Sequence, residues 1–509
     1  QAELGPDHIV LAYLDDVVVL SKQPTDVIGT AASVSEQLDI GLRLNVNKSR
    51  VYTKEQIAVG GIPILGTVVG GLPGRAEFAH SVVTALEDAV TRLCRSDLDT
   101  QGAWLLLSQC IQLRNRHLQR QLRGDDIPWF WERLDDAIQH GLMALRGDAT
   151  MDIDELTKQL ATLPTRMGGL GLLSHTECRE AARTAMTDHA DQILRERHIL
   201  PAPDSSSATP STPRSDANRH PQWTPKMKQG ARTEILFKQR REWLFSKLPL
   251  DICVAILEHG EELGRRALNV IPFSEPLRIS NGNMAAILRL HTFRMGADAP
   301  LVEGLAVQHG RCISCATPNT NTLHGDVCPK RAQFQWLHDR IVRLIQGHIG
   351  HEPRTEVLLE QRARQDQDFT RTDVTVTGAA VSDGTRREFD VTITGKRVAF
   401  TGEGPRRHTS GQGTTSASTN LPLPGPPRSH VERARNVLLC RLRDRENTKI
   451  REYKDVEGFV PFVLTINGAR GPASDREWEH WKATCGSMSF LTRAIAVTLA
   501  EVRASRYAF

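Results

Sequence analysis

Apolar residues recur with two different periods along the chain, and the changes of period predict an α+β architecture. Residues 9–20 form two short apolar runs around Asp15 and Asp16, which predicts two strands joined by a tight turn. Residues 27–43 have the spacing of a helix. Residues 57–71 are apolar and punctuated by glycine, which predicts short strands.

Helical spacing dominates the next part of the chain. It extends from residue 78 to about residue 145 and again over residues 152–199. The second block is interrupted at residues 163–172, LPTRMGGLGL, where a proline and three glycines predict a turn. A basic face is predicted on the first block from four arginines, Arg114, Arg116, Arg120 and Arg123.

Two segments rich in Ser, Thr, Pro and Gly, residues 201–225 and 402–429, predict a disordered linker and a disordered insertion. Residues 226–308 between them are helical in pattern and begin with a basic stretch that contains Lys238, Arg240 and Arg241. Residues 331–509 predict the order α–β–β–α–β–α. Its elements are a helix at about 331–347, strands at about 372–382 and 386–394, a helix at about 430–447, a strand around 459–466 and a terminal amphipathic helix.

Composition supports several globular domains. The chain has 509 residues, of which 39% are hydrophobic and 24% are charged, and its net charge of +4 is too small to indicate a polyanionic partner without local clustering. No apolar run is long enough for a membrane span, and no secretory leader pattern is present. Nine cysteines, an odd number in a long chain, favour reduced thiols. Because Gln1 leads almost at once into a strand, we expect the start of the first domain to be missing.

Three groups of residues have the composition of chemical sites. Asp15 and Asp16 are adjacent carboxylates at a predicted hairpin turn, where they would bind Mg²⁺ or form an ordinary polar turn. A second group offers three thiolates and an imidazole at the spacing of a closed, tetrahedral zinc site, namely Cys312, Cys315, His324 and Cys328.

The third group lies on two predicted strands. Strand alternation places Glu388, Asp390 and Thr392 on one face of the second strand. If the first strand pairs with it, Asp373 and Asp390 could share a metal ion.

The first group resembles the Tyr-x-Asp-Asp motif of reverse transcriptases, through Tyr13-Leu14-Asp15-Asp16. Residues 41–49 resemble the next motif of that family, which implies that Lys48 lies near the incoming nucleotide, and residues 64–67 resemble its primer-gripping turn. The helical block with the basic face resembles a thumb, and residues 163–172 resemble a segment typical of non-LTR retrotransposon proteins. The resemblance implies that residues 1–75 are the end of a palm and residues 76–200 a thumb and connection.

The C-terminal part resembles site-specific non-LTR elements that carry a restriction-like endonuclease of the PD-(D/E)xK fold. The resemblance rests on the order of the zinc group (309–330), the His338-Asp339 helix and the two acidic strands. It implies that Asp373 and Asp390 bind Mg²⁺, that Glu388 is a third acid, and that Glu352 or Glu356 is a helix carboxylate. The family's lysine is replaced by Thr392, so its role falls to Lys396 or to Lys449.

The implied function is that of a fragment of a nuclear, retrotransposon-encoded RNA-directed DNA polymerase and Mg²⁺-dependent endonuclease, with a structural Zn²⁺ site. Its partners would be an RNA template, a DNA target and, in the intact parent, deoxynucleotides, and the basic residues near Arg114 and Arg240 would contact phosphates. The family's site also needs an earlier palm aspartate and fingers, which these residues do not supply, so polymerisation would be inherited from a longer parent or lost. A catalytically inactive nucleic-acid-binding remnant is the alternative, and a host protein with a polymerase-like fold fits the C-terminal half poorly.

Overall fold

The chain divides into two compact units, Gln1–Phe78 and Ala79–Phe509. The computed structural model describes residues 8–13, 16–21, 26–38, 45, 47, 49–122, 127–148, 155–197, 220, 222–293, 307–308, 311–312, 315, 326, 328, 334–352, 354–362, 371–378, 380–381, 386–395 and 429–507. No helix in these ranges is long and apolar enough to cross a membrane. The fold is mixed α and β, mostly helical with a small mixed sheet.

The first unit contains two hairpins and helices. Its elements are β1 (His8–Tyr13), β2 (Asp16–Ser21), α1 (Val27–Leu38), α2 (Lys54–Gly60), β3 (Ile62–Ile64) and β4 (Thr67–Val69). The predicted first hairpin is confirmed, because β1 and β2 pair antiparallel with Tyr13 opposite Asp16. The prediction of strand at 57–60 was wrong: Thr53 and Gln56 form a reciprocal capping box that starts α2 there.

A tight turn joins β3 to β4. Ile64 pairs with Thr67, and the two residues between them, Leu65 and Gly66, have φ angles of 49° and 74°. Positive φ at both central positions is the backbone of the two-residue turn that matches the twist of a hairpin. The predicted strand turn at residues 64–67 is therefore confirmed.

The helical part of the second unit follows the predicted blocks. Its helices, the first of which begins in the first unit, are α3 (Leu72–Cys94), α4 (Thr100–Gln109), α5 (Leu118–Gln121), α6 (Pro128–Arg146), α7 (Glu155–Thr162), α8 (His175–Glu196), α9 (Gln229–Lys247), α10 (Leu250–Gly260), α11 (Glu262–Arg266) and α12 (Asn281–Thr292). The predicted turn between α7 and α8 is confirmed, and Gly168 and Gly171 adopt φ angles of 97° and 74° in it.

The remaining elements build a four-stranded sheet covered by helices. They are β5 (Val307–Gln308), β6 (Arg311–Cys312), α13 (Phe334–Ile349), β7 (Thr355–Arg362), β8 (Arg371–Gly378), β9 (Arg387–Thr394), α14 (His430–Glu452), β10 (Phe459–Thr465), α15 (Pro472–Thr484) and α16 (Ser489–Ser505). The sheet order is β10-β9-β8-β7, with β9 and β10 parallel and the other pairs antiparallel. The predicted element order omitted β7 and one C-terminal helix.

The two faces of this sheet are buried by different helices. One face contributes Val374, Phe389 and Phe462 to a core shared with α13, α15 and α16. On the other face, Val463 belongs to a second core with α14, α10 and α7. Helix α14 connects β9 to its parallel neighbour β10, and this crossover carries it back to the sheet.

Candidate active site on the sheet

The acidic face of β9 is the centre of the site. Phe389 and Val391 belong to the core on the opposite face, so the alternation of a strand turns Glu388 and Asp390 away from that core. Both acids are nevertheless buried, with 3% and 7% of their surface exposed. Buried carboxylates require hydrogen-bond or charge partners, and the structure supplies them from neighbouring elements.

Asp390 is held by one neighbour on its own strand and by two residues near the end of α14. The Tyr453 hydroxyl donates to Oδ1 at 2.9 Å, and the Thr392 hydroxyl donates to Oδ2 at 2.9 Å. The Lys449 ammonium lies 3.2 Å from Oδ2. Of the two lysines that the sequence left open, Lys449 is therefore the one that the structure brings to Asp390, and Lys396 lies outside the described residues.

The Tyr453 hydroxyl contacts Asp390, and the negative charge of Asp373 also acts on it. Burial raises the pKa of its phenol well above the ordinary value, and the negative charge of Asp390, its hydrogen bond to Asp390 and the charge of Asp373 raise the pKa further. The phenol is therefore protonated at neutral pH and acts as a hydrogen-bond donor. Its ring stacks on Phe459 with 4.4 Å between ring centroids, which fixes the hydroxyl toward the site.

Asp373 is held by helix α13. Its Oδ2 lies 3.0 Å from His338 Nε2 and accepts a hydrogen bond from the Val391 backbone N–H at 2.6 Å. The hydrogen bond to Asp373 is the largest influence on the imidazole, and with a second hydrogen bond, to Asp339, it raises the pKa of His338 to about 9 against the opposing effect of burial. His338 is therefore an imidazolium at neutral pH, and Asp373 has a cationic partner as Asp390 does.

Glu388 is the most enclosed of the three acids. Its Oε2 accepts hydrogen bonds from the hydroxyls of Thr372 and Thr375, and its Oε1 pairs with Arg386. Thr375 lies opposite Glu388 in the pairing of β8 with β9. These contacts make Glu388 a link between the two strands rather than an open ligand.

The two aspartates suit Mg²⁺ better than they suit a metal ion that is coordinated by protein side chains alone. Across the described residues, no group of three or more His, Cys, Asp or Glu side chains is placed to hold a metal ion. Mg²⁺ is, however, usually held by one or two carboxylates together with water and phosphate oxygens. Asp390 and Asp373 offer two hard oxygen donors of this kind, and Asp373 accepts from the backbone N–H of Val391, the residue next to Asp390, so the pair fits this ion.

The two acids that were predicted as helix carboxylates do not lie on a helix. Glu352 follows the end of α13 in a bend, and Glu356 lies in β7, so neither is on a helix. The consecutive apolar residues of β7 show no helical or alternating pattern, which explains the error. In the first unit, Asp16 begins β2, while Asp15 and Lys48 lie outside the described residues.

The predicted zinc group is only partly within the described residues. Cys312 ends β6, Cys315 is half-buried, Cys328 is buried, and His324 lies outside the described residues. Next to Cys328, Asp326 is fully buried and ties this segment to the C-terminal helix: its Oδ1 accepts from Arg503 Nε at 3.1 Å and from the Tyr507 hydroxyl at 3.2 Å.

The predicted basic surface divides into exposed and buried residues. Arg114, Arg116 and Arg120 are exposed, and Arg123 lies outside the described residues. Lys238 is 64% exposed, and Arg241 is half-buried with its pKa lowered by desolvation. Arg240 is buried against Thr162 and Glu177, so it does not contribute to the exposed basic surface.

Sequence reasoning assigned no role to Tyr453 or His338. Tyr453 follows Lys449 by four residues, and this spacing is the signal that could have paired the two at the C-terminal end of α14. His338 gave no comparable signal, because its contact with Asp373 depends on how α13 packs across β8.

A comparison with models of known protein families found no match, and no curated protein matches the sequence. The case for a function therefore rests on the geometry of the site and on the motifs in the sequence.

Proposed function

We propose that the chain is part of a non-LTR retrotransposon protein and that residues 331–509 act as a Mg²⁺-dependent DNA endonuclease. The observation that carries this proposal is the arrangement of three side chains on the inner strands β8 and β9 and on α14. Lys449 lies 3.2 Å from Asp390, and Asp373 accepts a hydrogen bond from the backbone N–H of Val391, the residue next to Asp390. Two acids and a lysine at adjoining positions are the minimum set of a restriction-like nuclease. The first unit would contribute part of a reverse-transcriptase palm, with Asp15, Asp16 and Lys48 at its site.

Each side chain has a separate task in the proposed cleavage. Asp373 and Asp390 would hold Mg²⁺, which when bound supplies a Lewis acid for the scissile phosphate. Lys449, whose ammonium is held within the site by Asp390, would orient the attacking water. Tyr453 and Thr392 fix the Asp390 carboxylate by donating to its two oxygens, and His338 fixes Asp373. In the intact element, the nick would provide the 3′ hydroxyl from which element RNA is copied.

A second candidate is a nucleic-acid-binding remnant without cleavage. Two features favour it. Thr392 stands where the family has its lysine, and both aspartates already have a cation within hydrogen-bond distance. A carboxylate paired in this way is electrostatically satisfied without a metal ion, so the arrangement would persist in a protein that had lost catalysis.

The two candidates are separated by nicking of supercoiled plasmid by the full chain in Mg²⁺. The nuclease proposal predicts nicking that falls at least about 100-fold in Asp390→Asn and is retained in Asp444→Asn, an exposed aspartate on α14. EDTA should abolish the reaction. A folded protein that binds DNA and leaves the plasmid intact would refute the nuclease and support the remnant.

A further inference from the structure

A cavity of about 390 Å³ lies among the helices of the second unit, away from the acidic strands. Its walls come from the basic turn around Arg116, from the glycine-rich turn at residues 163–173 and from α9. The volume lies within the roughly 300–1,000 Å³ typical of small-molecule sites. The cavity therefore joins two sequence features, the basic face and the LPTRMGGLGL segment, that the proposed nuclease does not use.

The glycine-rich wall is preformed. The backbone N–H of Gly171 donates to Leu163 O at 2.9 Å and that of Leu172 donates to Ala161 O at 3.0 Å. The Leu173 N–H donates at 2.6 Å to Gln112, whose amide nitrogen donates in turn to Gly171 O at 3.3 Å. A Cβ at Gly168 would lie within 1.9 Å of Ile256 O, so this turn is pressed against α10. Because these hydrogen bonds already order the turn, binding of a ligand would cost little further conformational entropy there.

The rest of the cavity lining is neutral, and the rim of the cavity is cationic. Among the described residues that line the cavity, Arg116 is the one with a formal charge, and it is exposed. Burial raises the pKa of the Cys178 thiol to about 12, so this side chain is neutral. The exposed arginines Arg114 and Arg120 adjoin Arg116 along the same turn, and Arg120 Nε donates to Gln229 on α9 at 2.9 Å.

This distribution favours a ligand with a neutral body and an anionic end. Apolar side chains, including Leu170 and Phe237, would contact the body. The rim also carries the exposed amides of Gln109 and Asn269. Gln109 Nε2 donates to Asn269 Oδ1 at 3.2 Å, and the remaining amide donors and acceptors can pair with the polar edge of a heterocycle. An acyl chain would leave these amides unused, whereas a nucleotide uses both the amides and the arginines.

We propose that the cavity receives an unstacked base of single-stranded RNA, with the adjoining phosphates on Arg116 and its neighbours. This inference rests on the proposed function, which supplies RNA as the polymer that the protein handles. Sequence-specific recognition of RNA commonly uses splayed bases in this way. The site would anchor the element RNA on the helical region while the acidic strands act on DNA.

The test is binding of short fluorescent RNA and DNA strands of identical sequence to the full chain. Thr233→Trp places an indole in the cavity from the half-exposed face of α9, and Ser246→Trp places one on an exposed position of the same helix outside the cavity. We expect Thr233→Trp to weaken RNA binding by about tenfold, Ser246→Trp to bind as the parent does, and RNA to bind more tightly than DNA. Crosslinks from 4-thiouridine should map to the two cavity walls.

A rim variant keeps the test independent of folding. Arg116→Gln changes an exposed side chain and should reduce the slope of log K against log salt by about 0.7, the share of one single-strand phosphate. Unchanged RNA binding in Thr233→Trp, equal binding of RNA and DNA, or crosslinks confined to other surfaces would each overturn the inference. Plasmid nicking by Thr233→Trp reports on the nuclease separately and should equal that of the parent.

Discussion

Removing the charge of Lys449 tests whether the ammonium and Asp390 form a working pair. Their side chains are 16% and 11% exposed, and the atoms lie 3.2 Å apart. At an effective dielectric constant of about 20, this separation corresponds to an attraction of about 5 kcal/mol before desolvation. Breaking one side of a buried pair usually costs about 3–5 kcal/mol. Tyr453 and Thr392 still donate to Asp390, so we expect Lys449→Met to cost about 3 kcal/mol.

A double-mutant cycle isolates the pair from other effects of the substitution. Asp390→Asn alone leaves Lys449 with Glu452, 3.0 Å away, and should cost about 1–2 kcal/mol. The double variant removes both charges, so the cost should be lower than the sum of the single costs by about 2 kcal/mol. Amide hydrogen exchange in β9 and α14 measures the opening free energy where the pair lies. Lys454→Met, an exposed lysine just beyond α14, is the matched control.

Additive costs within about 0.5 kcal/mol would show that the two side chains do not interact and would refute the geometry on which the nuclease proposal rests. A large coupling without plasmid nicking would instead establish the pair as structural and would favour the binding remnant. Nicking lost in Lys449→Met with protection in β9 largely kept would show that the ammonium acts on the reaction.

Three further perturbations test other parts of the fold. Burial lowers the pKa of His175 to about 4 and that of His291 to about 3. Because both histidines take up a proton near pH 6.5 in the unfolded chain, the free energy of unfolding should fall by about 1.4 kcal/mol per pH unit for each histidine as the pH decreases from about 6.5 toward 4. A thermal midpoint that stays constant from about pH 7 to 5 would contradict this. Asp135→Ala removes the acceptor of three donors at the start of α8 and should cost about 2–4 kcal/mol in thermal unfolding, whereas its exposed neighbour Asp136→Ala should cost less than about 0.5. Asp326→Asn removes the charge of the buried carboxylate that accepts from Arg503 and Tyr507, so amide hydrogen exchange at the end of α16 should become faster. Unchanged protection there would refute the anchoring role of Asp326.

Local patterns predicted the elements whose partners are close in sequence. The β1–β2 hairpin could be predicted from two short apolar runs on either side of Asp15 and Asp16. Strands β8 and β9 could be predicted from apolar alternation, because a strand with one buried face carries that period itself. Strand β7 could not, since its apolar residues Val357, Leu358 and Leu359 are consecutive and its pairing with β8 defines it. The start of α2 was missed because the capping box at Thr53 outweighed the glycines that follow.

The acids of the candidate site could be predicted from the sequence, but their partners could not. Asp373 and Asp390 lie on strands whose faces follow from alternation alone. Their cations, His338 and Lys449, come from helices 35 and 59 residues away in the chain, and only the packing of those helices determines the contact. The sequence left Lys396 and Lys449 as alternatives because both follow β9 and neither lies on it.

Thr392 stands where the restriction-like nucleases that the chain resembles have a lysine, and the proposed site contains a lysine from another element. Position 392 lies two residues beyond Asp390 on the same strand, so its side chain points to the same face, and here it donates a hydroxyl to Asp390 Oδ2. Helix α14 covers that face because it crosses back between the parallel strands β9 and β10. Its last turns therefore deliver Lys449 to the same carboxylate oxygen, at 3.2 Å. The positive charge beside Asp390 therefore comes from the helix that covers this face and not from the strand itself.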